Sequence, residues 1–315
     1  MAVAALACVL VSCSSGGGSQ SGNSTGAAAG PKKGGSAAGK VIGISIQDLE
    51  AQFYQQMEAG MQSEAKKYGY HLLFVDANRD SARQQSQVED FISKKVDAIV
   101  LTPYDSQAIG SAIAEANNAN IPVFTADIAS TSKQGKVVSH VASDNVQGGE
   151  QAASLMCKAI GGSGEVAILD EPEVTSVQDR VKGFKLGLAQ HCPRAKVVAE
   201  VDSGGTRDKA NSDMGDILQA HKNLKGVFGI NDDSALGAVA AIRAAGLSGI
   251  AVIGYDATPE ARTAIANGQI YGDAVQHPDV IGRDVIQIVH DYFAGKSVPP
   301  KVNVPVGIYT KTSTK

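Results

Sequence analysis

The chain has no tryptophan, few aromatic residues (5%) and only four cysteines in 315 residues. So few cysteines exclude a disulfide-dense scaffold, and 43% hydrophobic residues exclude a disordered chain. Basic blocks are absent and the formal net charge is -4. A nucleic-acid reader needs a Lys/Arg face to neutralise phosphates, so no nucleic-acid partner is expected. Long apolar runs are missing too. The first twelve residues, MAVAALACVLVS, fall short of the roughly 20 that cross a bilayer as a helix. Enzyme signatures are equally scarce: there is no HExxH and no CxxC. The histidines (His71, His140, His191, His221, His277, His290) are scattered without ligand spacing. Neither catalysis nor a cofactor or metal is expected.

What is present begins with an asymmetry of charge. No charged side chain precedes Lys32, whereas the stretch from Lys40 onward holds 26 Lys/Arg against 32 Asp/Glu. Residues 1–12 fit the apolar core of a secretory signal, and they end in Leu10-Val11-Ser12-Cys13. This ending resembles the bacterial lipobox, which implies cleavage before Cys13 and a lipid on its thiol. The mature chain is then exported and held at the cell membrane through that lipid alone. Of residues 14–39, 20 are Gly, Ser or Ala, a flexible tether with a reach of roughly 25–30 Å. Gly34-Gly35-Ser36-Ala37-Ala38-Gly39-Lys40-Val41 comes close to a phosphate loop. It is rejected, because Val41 stands where the metal-binding hydroxyl belongs and the segment precedes a strand.

From Lys40 short β-branched runs alternate with amphipathic stretches. Strands are expected at Val41–Ile46, His71–Asp76, Ala98–Thr102, Ile121–Ala126 and Val137–Val141, with helices over Gln52–Lys67, Ser81–Lys94 and Gln107–Asn118. The cycle restarts beyond Asp144, with strands Val166–Leu169, Val197–Val201, Gly226–Ile230 and Ala251–Tyr255 between helices 145–159, 178–190, 207–220 and 233–245. Strand–helix units of about 30 residues predict parallel sheets with right-handed crossovers. Almost wholly apolar strands predict helices on both faces. The fold class is α/β, with two doubly wound parallel-sheet lobes. Polar function should collect at the carboxyl ends of strands, here Ser45, Asp76, Thr102, Asp127, Asp170, Asn231 and Asp256. Asp76-Ala77-Asn78-Arg79-Asp80 opens like a calcium loop but lacks its glycine and its closing glutamate, so Asp80 reads as a helix cap.

Four strings then occur in order: Val138-Ser139-His140-Val141-Ala142-Ser143-Asp144-Asn145, Arg180-Val181-Lys182-Gly183-Phe184, Phe228-Gly229-Ile230-Asn231-Asp232-Asp233-Ser234-Ala235-Leu236-Gly237, and Ile253-Gly254-Tyr255-Asp256-Ala257-Thr258-Pro259. Together they resemble the pentose/hexose periplasmic binding proteins of ABC transporters, the ribose-binding kind most closely, from about Val41 to Thr310. The resemblance implies the type I periplasmic binding fold, with three crossing segments near Ser143–Asp144, Gln276–His277 and Pro305. Residues 40–143 with 277–305 would form the N-terminal lobe, and 144–276 with 306–315 the C-terminal lobe. Repressors of the same superfamily carry a helix-turn-helix where this chain has its lipobox and tether.

The resemblance also implies a ligand site. Phe53 and Tyr54 would pack against a sugar, while Asp127, Arg180, Asn231, Asp256 and Gln276 would pair with its hydroxyls. Ser45, Asp48, Glu50 and Tyr255 complete the candidate set. Planar amides, carboxylates and guanidinium suit a neutral polyol, because each hydroxyl both donates and accepts. Three departures separate this chain from the ribose pattern. Ile128 replaces an arginine, Gly204–Gly205 replaces a second aromatic wall, and the first loop is longer, with Asp48 and Glu50 where amides are expected. A larger sugar, a polyol or an amino-bearing ligand fits as well as ribose. The implied partners are a monosaccharide or polyol, an ABC permease and its ATPase, and the protein itself would be a monomer. A ligand-binding sensor component for chemotaxis or a sensor kinase is the alternative function. Cys157 and Cys192 end helices on either side of one strand, so an oxidising compartment admits a disulfide between them. Two buried free thiols are the other reading.

Overall fold

The computed structural model describes residues 39–314. The signal, Cys13 and the tether up to residue 38 lie outside them. Two six-stranded sheets organise the chain. In chain order the first half runs β1 (Val41–Ile46), α1 (Gln52–Tyr68), β2 (His71–Asp76), α2 (Ser81–Lys94), β3 (Ala98–Leu101), α3 (Gly110–Asn118), β4 (Val123–Ala126) and β5 (Val137–Ser143). Next come α4 (Asn145–Ala159), β6 (Ser163–Asp170), α5 (Thr175–His191), β7 (Arg194–Asp202), α6 (Arg207–Ala220), β8 (Leu224–Gly229), α7 (Asp232–Ala244) and β9 (Ala251–Asp256). The chain closes with α8 (Pro259–Ala266), β10 (Gly272–Val275), α9 (Pro278–Phe293), β11 (Lys301–Val304), β12 (Gly307–Thr310) and a 3-10 turn.

The first sheet has the order β11-β5-β4-β3-β1-β2 and the second β12-β10-β9-β8-β6-β7. Every pairing is parallel except β10 with β12. The two α/β lobes are therefore doubly wound. The chain passes between sheets three times: after Ser143, through Gln276–His277, and through Pro305–Val306.

Apolar strands force cover on both faces, and each sheet receives it. Ile42, Ile44 and Phe124 pack with α1 and α9 on one face of the first sheet, while Ile99, Leu101 and Val123 meet α2 and α3 on the other. Val166, Ile168 and Phe228 meet α4 and α5 in the second lobe, and Ala167, Leu169 and Val227 meet α6 to α8. Phe184 stacks on Phe228 at 4.4 Å between ring centroids. Burial of such a side chain contributes about 1.5–3 kcal/mol.

Glycine sets how closely the paired helices approach. A side chain on Gly60 or Gly282 would strike the backbone of the facing helix where α1 crosses α9. Gly149 and Gly183 play the same part where α4 crosses α5. Cys157 at the end of α4 and Cys192 just past α5 are joined by a disulfide, with Cα atoms 5.7 Å apart. Strand β7 begins three residues before its expected start, because its polar Arg194 and Lys196 sit on an edge strand where water reaches them. Helix α3 begins later than expected, since Asp105 accepts from Gln107 N and Ala108 N and bends the chain first.

Candidate functional site

The carboxyl ends of the two sheets face one another across a cavity of about 190 Å³. That is room for about six waters, or one small ring. The lobes touch beside it: Ala129 N donates to Thr175 Oγ1 at 2.9 Å, and Thr175 N to Ser106 Oγ at 3.0 Å. Ile128 is 1% exposed and packs with Val174 and Val177 of the second lobe. The residue standing in place of an arginine thus makes an apolar contact between lobes.

The first lobe offers rings and one carboxylate. Phe53 and Tyr54, in the first turn of α1, meet edge to face at 5.1 Å. Tyr54 Oη accepts from Gln47 Nε2 at 2.7 Å and donates to Asp127 Oδ2 at 3.1 Å. Asp127, directly after β4, has φ +62, a conformation aspartate tolerates better than most residues. Its other oxygen, Oδ1, is buried without a partner, as are Gln47 Oε1 and Gln276 Oε1. Burial pushes the Asp127 carboxyl up, while the Arg180 charge and the Tyr54 hydroxyl pull it down.

The second lobe offers charge. Arg180 lies on α5 and is buried, so it is no solvated helix residue. Its Nε donates to Asn145 Oδ1 at 2.9 Å and its Nη1 to Ile230 O at 3.0 Å, leaving Nη2 uncommitted among the described hydrogen bonds. Burial opposes its charge, but Tyr255, Asp256 and Asp127 around it outweigh that and raise its pKa. Asp256 accepts from Gln276 Nε2 at 2.6 Å. Burial and the Asp232 charge push its carboxyl far up, against Arg180 and Gln276. Behind it Asp232 and Asp273 face each other, and Gly254 leaves them room. Burial raises both, Asp273 to about 7.

The cavity is lined by Glu50, Phe53, Tyr54, Asp127, Arg180, Asn231, Asp256 and Gln276 of the expected set. Three candidates do not line it. Ser45 is fully buried between Gln87 Oε1 and Gln84 Nε2, because helix α2 covers the end of β1. Tyr255 is fully buried beneath Arg180, whose Cζ is 4.2 Å from the ring centre, and its hydroxyl donates to Asn145 Oδ1. Asp48 spends Oδ2 on Arg79 Nε at 2.9 Å. Asn231 lines the cavity, yet its amide also caps α7 by accepting from Ser234 N, and it donates to Gly205 O. Of the other strand ends, Asp76 binds backbone N–H groups of Leu49 and Asn78, and Asp170 binds that of Glu171.

Residues outside the expected set also line the cavity. Gln47, Arg79 and Glu171 do so, as does Arg207, which grips Glu260 with both Nη groups and Asp233 with one. Glu171 is pushed up to about 7 by burial, against Arg79 and Arg180. Among the described residues no cluster could hold a metal ion, and no helix is long and apolar enough to cross a membrane.

Residues 42–297 match the periplasmic binding protein domain family. The chain belongs to this family. It is 36% identical over 271 residues to the ribose import binding protein RbsB of Bacillus subtilis (strain 168), covering 86% of this chain and 87% of that one. It also resembles a solved ABC transporter solute-binding protein of Agrobacterium vitis bound to α-D-tagatopyranose. There the TM-score is 0.83 at 29% identity, over 87% and 96% of the two chains. A Bacillus halodurans C-125 solute-binding protein with myo-inositol gives 0.80 at 29% identity, over 89% and 97%. The family comprises extracytoplasmic binding proteins of transport systems, not enzymes.

Proposed function

We propose that this chain is the substrate-receiving component of an ABC importer, taking up one neutral monosaccharide or polyol in the interlobe cavity. The observation that carries this reading is the convergence of unpaired buried acceptors, Asp127 Oδ1, Gln47 Oε1 and Gln276 Oε1, on a cavity that Arg180 and Asp256 also line. An unsatisfied buried polar atom costs about 1–3 kcal/mol. Sugar hydroxyls would satisfy these acceptors and could also accept from Arg180 Nη2. The rings of Phe53 and Tyr54 suit the C–H face of the same molecule. Relatives named for ribose, and solved structures holding tagatopyranose or myo-inositol, support the ligand class. Closed lobes would present a surface to a permease. Residues 40–143 with 277–305 form one lobe and 144–276 with 306–315 the other in this reading, and Cys13 carries the lipid that holds the chain at the membrane.

A thermal-shift screen of D-ribose, D-tagatose, D-allose, xylitol and myo-inositol tests the ligand class. A ligand at 100 times its Kd adds about 2.7 kcal/mol, so one of these should raise the melting temperature clearly. No shift from any sugar or polyol would contradict the reading. Mass spectrometry of membrane-extracted protein should show a diacylglyceryl Cys13, and a chain still beginning at Met1 would contradict the anchor.

A further inference from the structure

Arg79 sits in the turn after β2, where Asn78 and Arg79 both take left-handed φ values of +50 and +55. Neither residue adopts that conformation without cost. The neighbouring Asp80 caps α2 by accepting from Ala82 N and Arg83 N, which accounts for the acidic residue but not for the arginine. The Arg79 guanidinium is accounted for across the cleft. Its Nε is held by Asp48 Oδ2 at 2.9 Å within the first lobe. Its Nη1 donates to Glu171 Oε1 at 2.9 Å and to Gly204 O, both in the second lobe.

Glu171 is as constrained as its partner. Its side chain is only 4% exposed, and its carboxylate lies against the Gly204–Gly205 turn. Both glycines have φ near +60, and a side chain on Gly205 would collide with Glu171 Oε2. Both charged residues also line the ligand cavity. A guanidinium thus docks on the turn where an aromatic wall was expected. If the lobes part, Arg79 and Glu171 return to water and the bridge is lost. The pair therefore belongs to the closed form alone, and no atom of a ligand is needed to make it.

We propose that Arg79 and Glu171 form an interlobe latch that doubles as the charged far wall of the ligand cavity. The latch biases the open–closed equilibrium before ligand arrives, and apparent affinity scales with the fraction of chains able to close. Once ligand is inside, parting the lobes requires breaking the bridge, so the effect falls on release more than on capture. Asp48 is a positioning residue in this device, because it fixes the guanidinium plane from its own lobe. Since the wall is polar, a ligand reaching it with a hydroxyl keeps its hydrogen bonds, and one presenting a bare C–H face loses them.

The second half of this proposal rests on the sugar-binding reading, and the first half does not. Small-angle X-ray scattering of the ligand-free full chain at pH 8, comparing wild type with Arg79→Ala and Glu171→Gln, tests the latch alone. Each variant should show a larger radius of gyration than wild type. Stopped-flow release of whichever of D-ribose, D-tagatose, D-allose or myo-inositol binds wild type tests the consequence. Each single variant should release it at least tenfold faster, with association changed by less than about threefold. The double variant should be no faster than the faster single one, because one bridge is lost once. Arg79→Lys should restore part of the slow release. Unchanged radii and unchanged release in folded single variants would overturn the latch, as would fully additive effects in the double variant. If no sugar or polyol binds wild type, the functional reading fails and the ligand-free radii still decide the latch.

Discussion

The two lobes share a sheet order and a pair of glycine-spaced helices, yet they bring opposite chemistry to the cleft. The first lobe presents Phe53, Tyr54, a single buried carboxylate, Asp127, and one guanidinium, Arg79. The second buries Arg180, Asp232, Asp256 and Asp273, and staples its α4–α5 pair with the Cys157–Cys192 disulfide. In the proposed function one wall would receive the face of a ring, and the other would read its hydroxyls. Charge concentrated in one lobe needs a rigid frame, because a buried ion tolerates little displacement from its partners. The covalent staple lies in the lobe that carries the charge.

The largest break in this comparison should come from Arg180→Ala. Removing one member of a buried charge network costs about 3–5 kcal/mol, since Asp127 and Asp256 lose their counter-ion. Denaturant unfolding should show that loss, and sugar binding should disappear. Next in size is the staple. Cys157→Ser with Cys192→Ser opens a loop of 35 residues, for which chain entropy gives about 3–4 kcal/mol. The loss should appear as a lower melting temperature, and reductant should have no further effect on the variant.

Asp273→Asn sharpens the contrast from the other side. The folded-state pKa of Asp273, about 7, lies above its ordinary value of 3.8. The folded chain therefore holds a proton that the unfolded chain gives up between these values. This contribution to stability is complete below about pH 4 and is lost as pH rises through about 7. The variant should melt higher than wild type at pH 8, with the gap shrinking toward pH 5. A gap that grew on acidification would reverse the sign. The smallest effect should come from Tyr54→Phe on the aromatic wall. It removes one hydroxyl hydrogen-bonded to Asp127 and Gln47, worth about 0.5–1.5 kcal/mol, so titration should show affinity falling only a few-fold.

The fold was legible because nearly every strand is a short apolar run and strand and helix alternate. Two cavity-lining residues, Asp127 and Asp256, were legible for the same reason, since they end such runs. Arg180 and Gln276 needed the family resemblance, because nothing in a helix or hinge pattern marks a buried cation or amide. Arg79 and Glu171 carried no signal at all. Each sits in a loop and acts on the opposite lobe, about 90 residues away in the chain. Glu171 follows the strand end Asp170 by one residue, and alternation along a strand sends such neighbours to opposite sides. Asp48 was legible as a charge in an unusual loop, but its partner was not. Only the folded cleft shows that it holds Arg79.

The central claim is that one neutral ligand is held from both walls at once. Calorimetric titration of the sugar or polyol that most stabilises the protein, into wild type, Asp127→Asn and Asp256→Asn, tests it most directly. The account predicts one ligand per chain in wild type and a loss of about 1.5–3 kcal/mol in each variant, or roughly tenfold to a hundredfold in Kd. Wild-type affinity in either folded variant would contradict it, because a ligand indifferent to one wall is not held between the two.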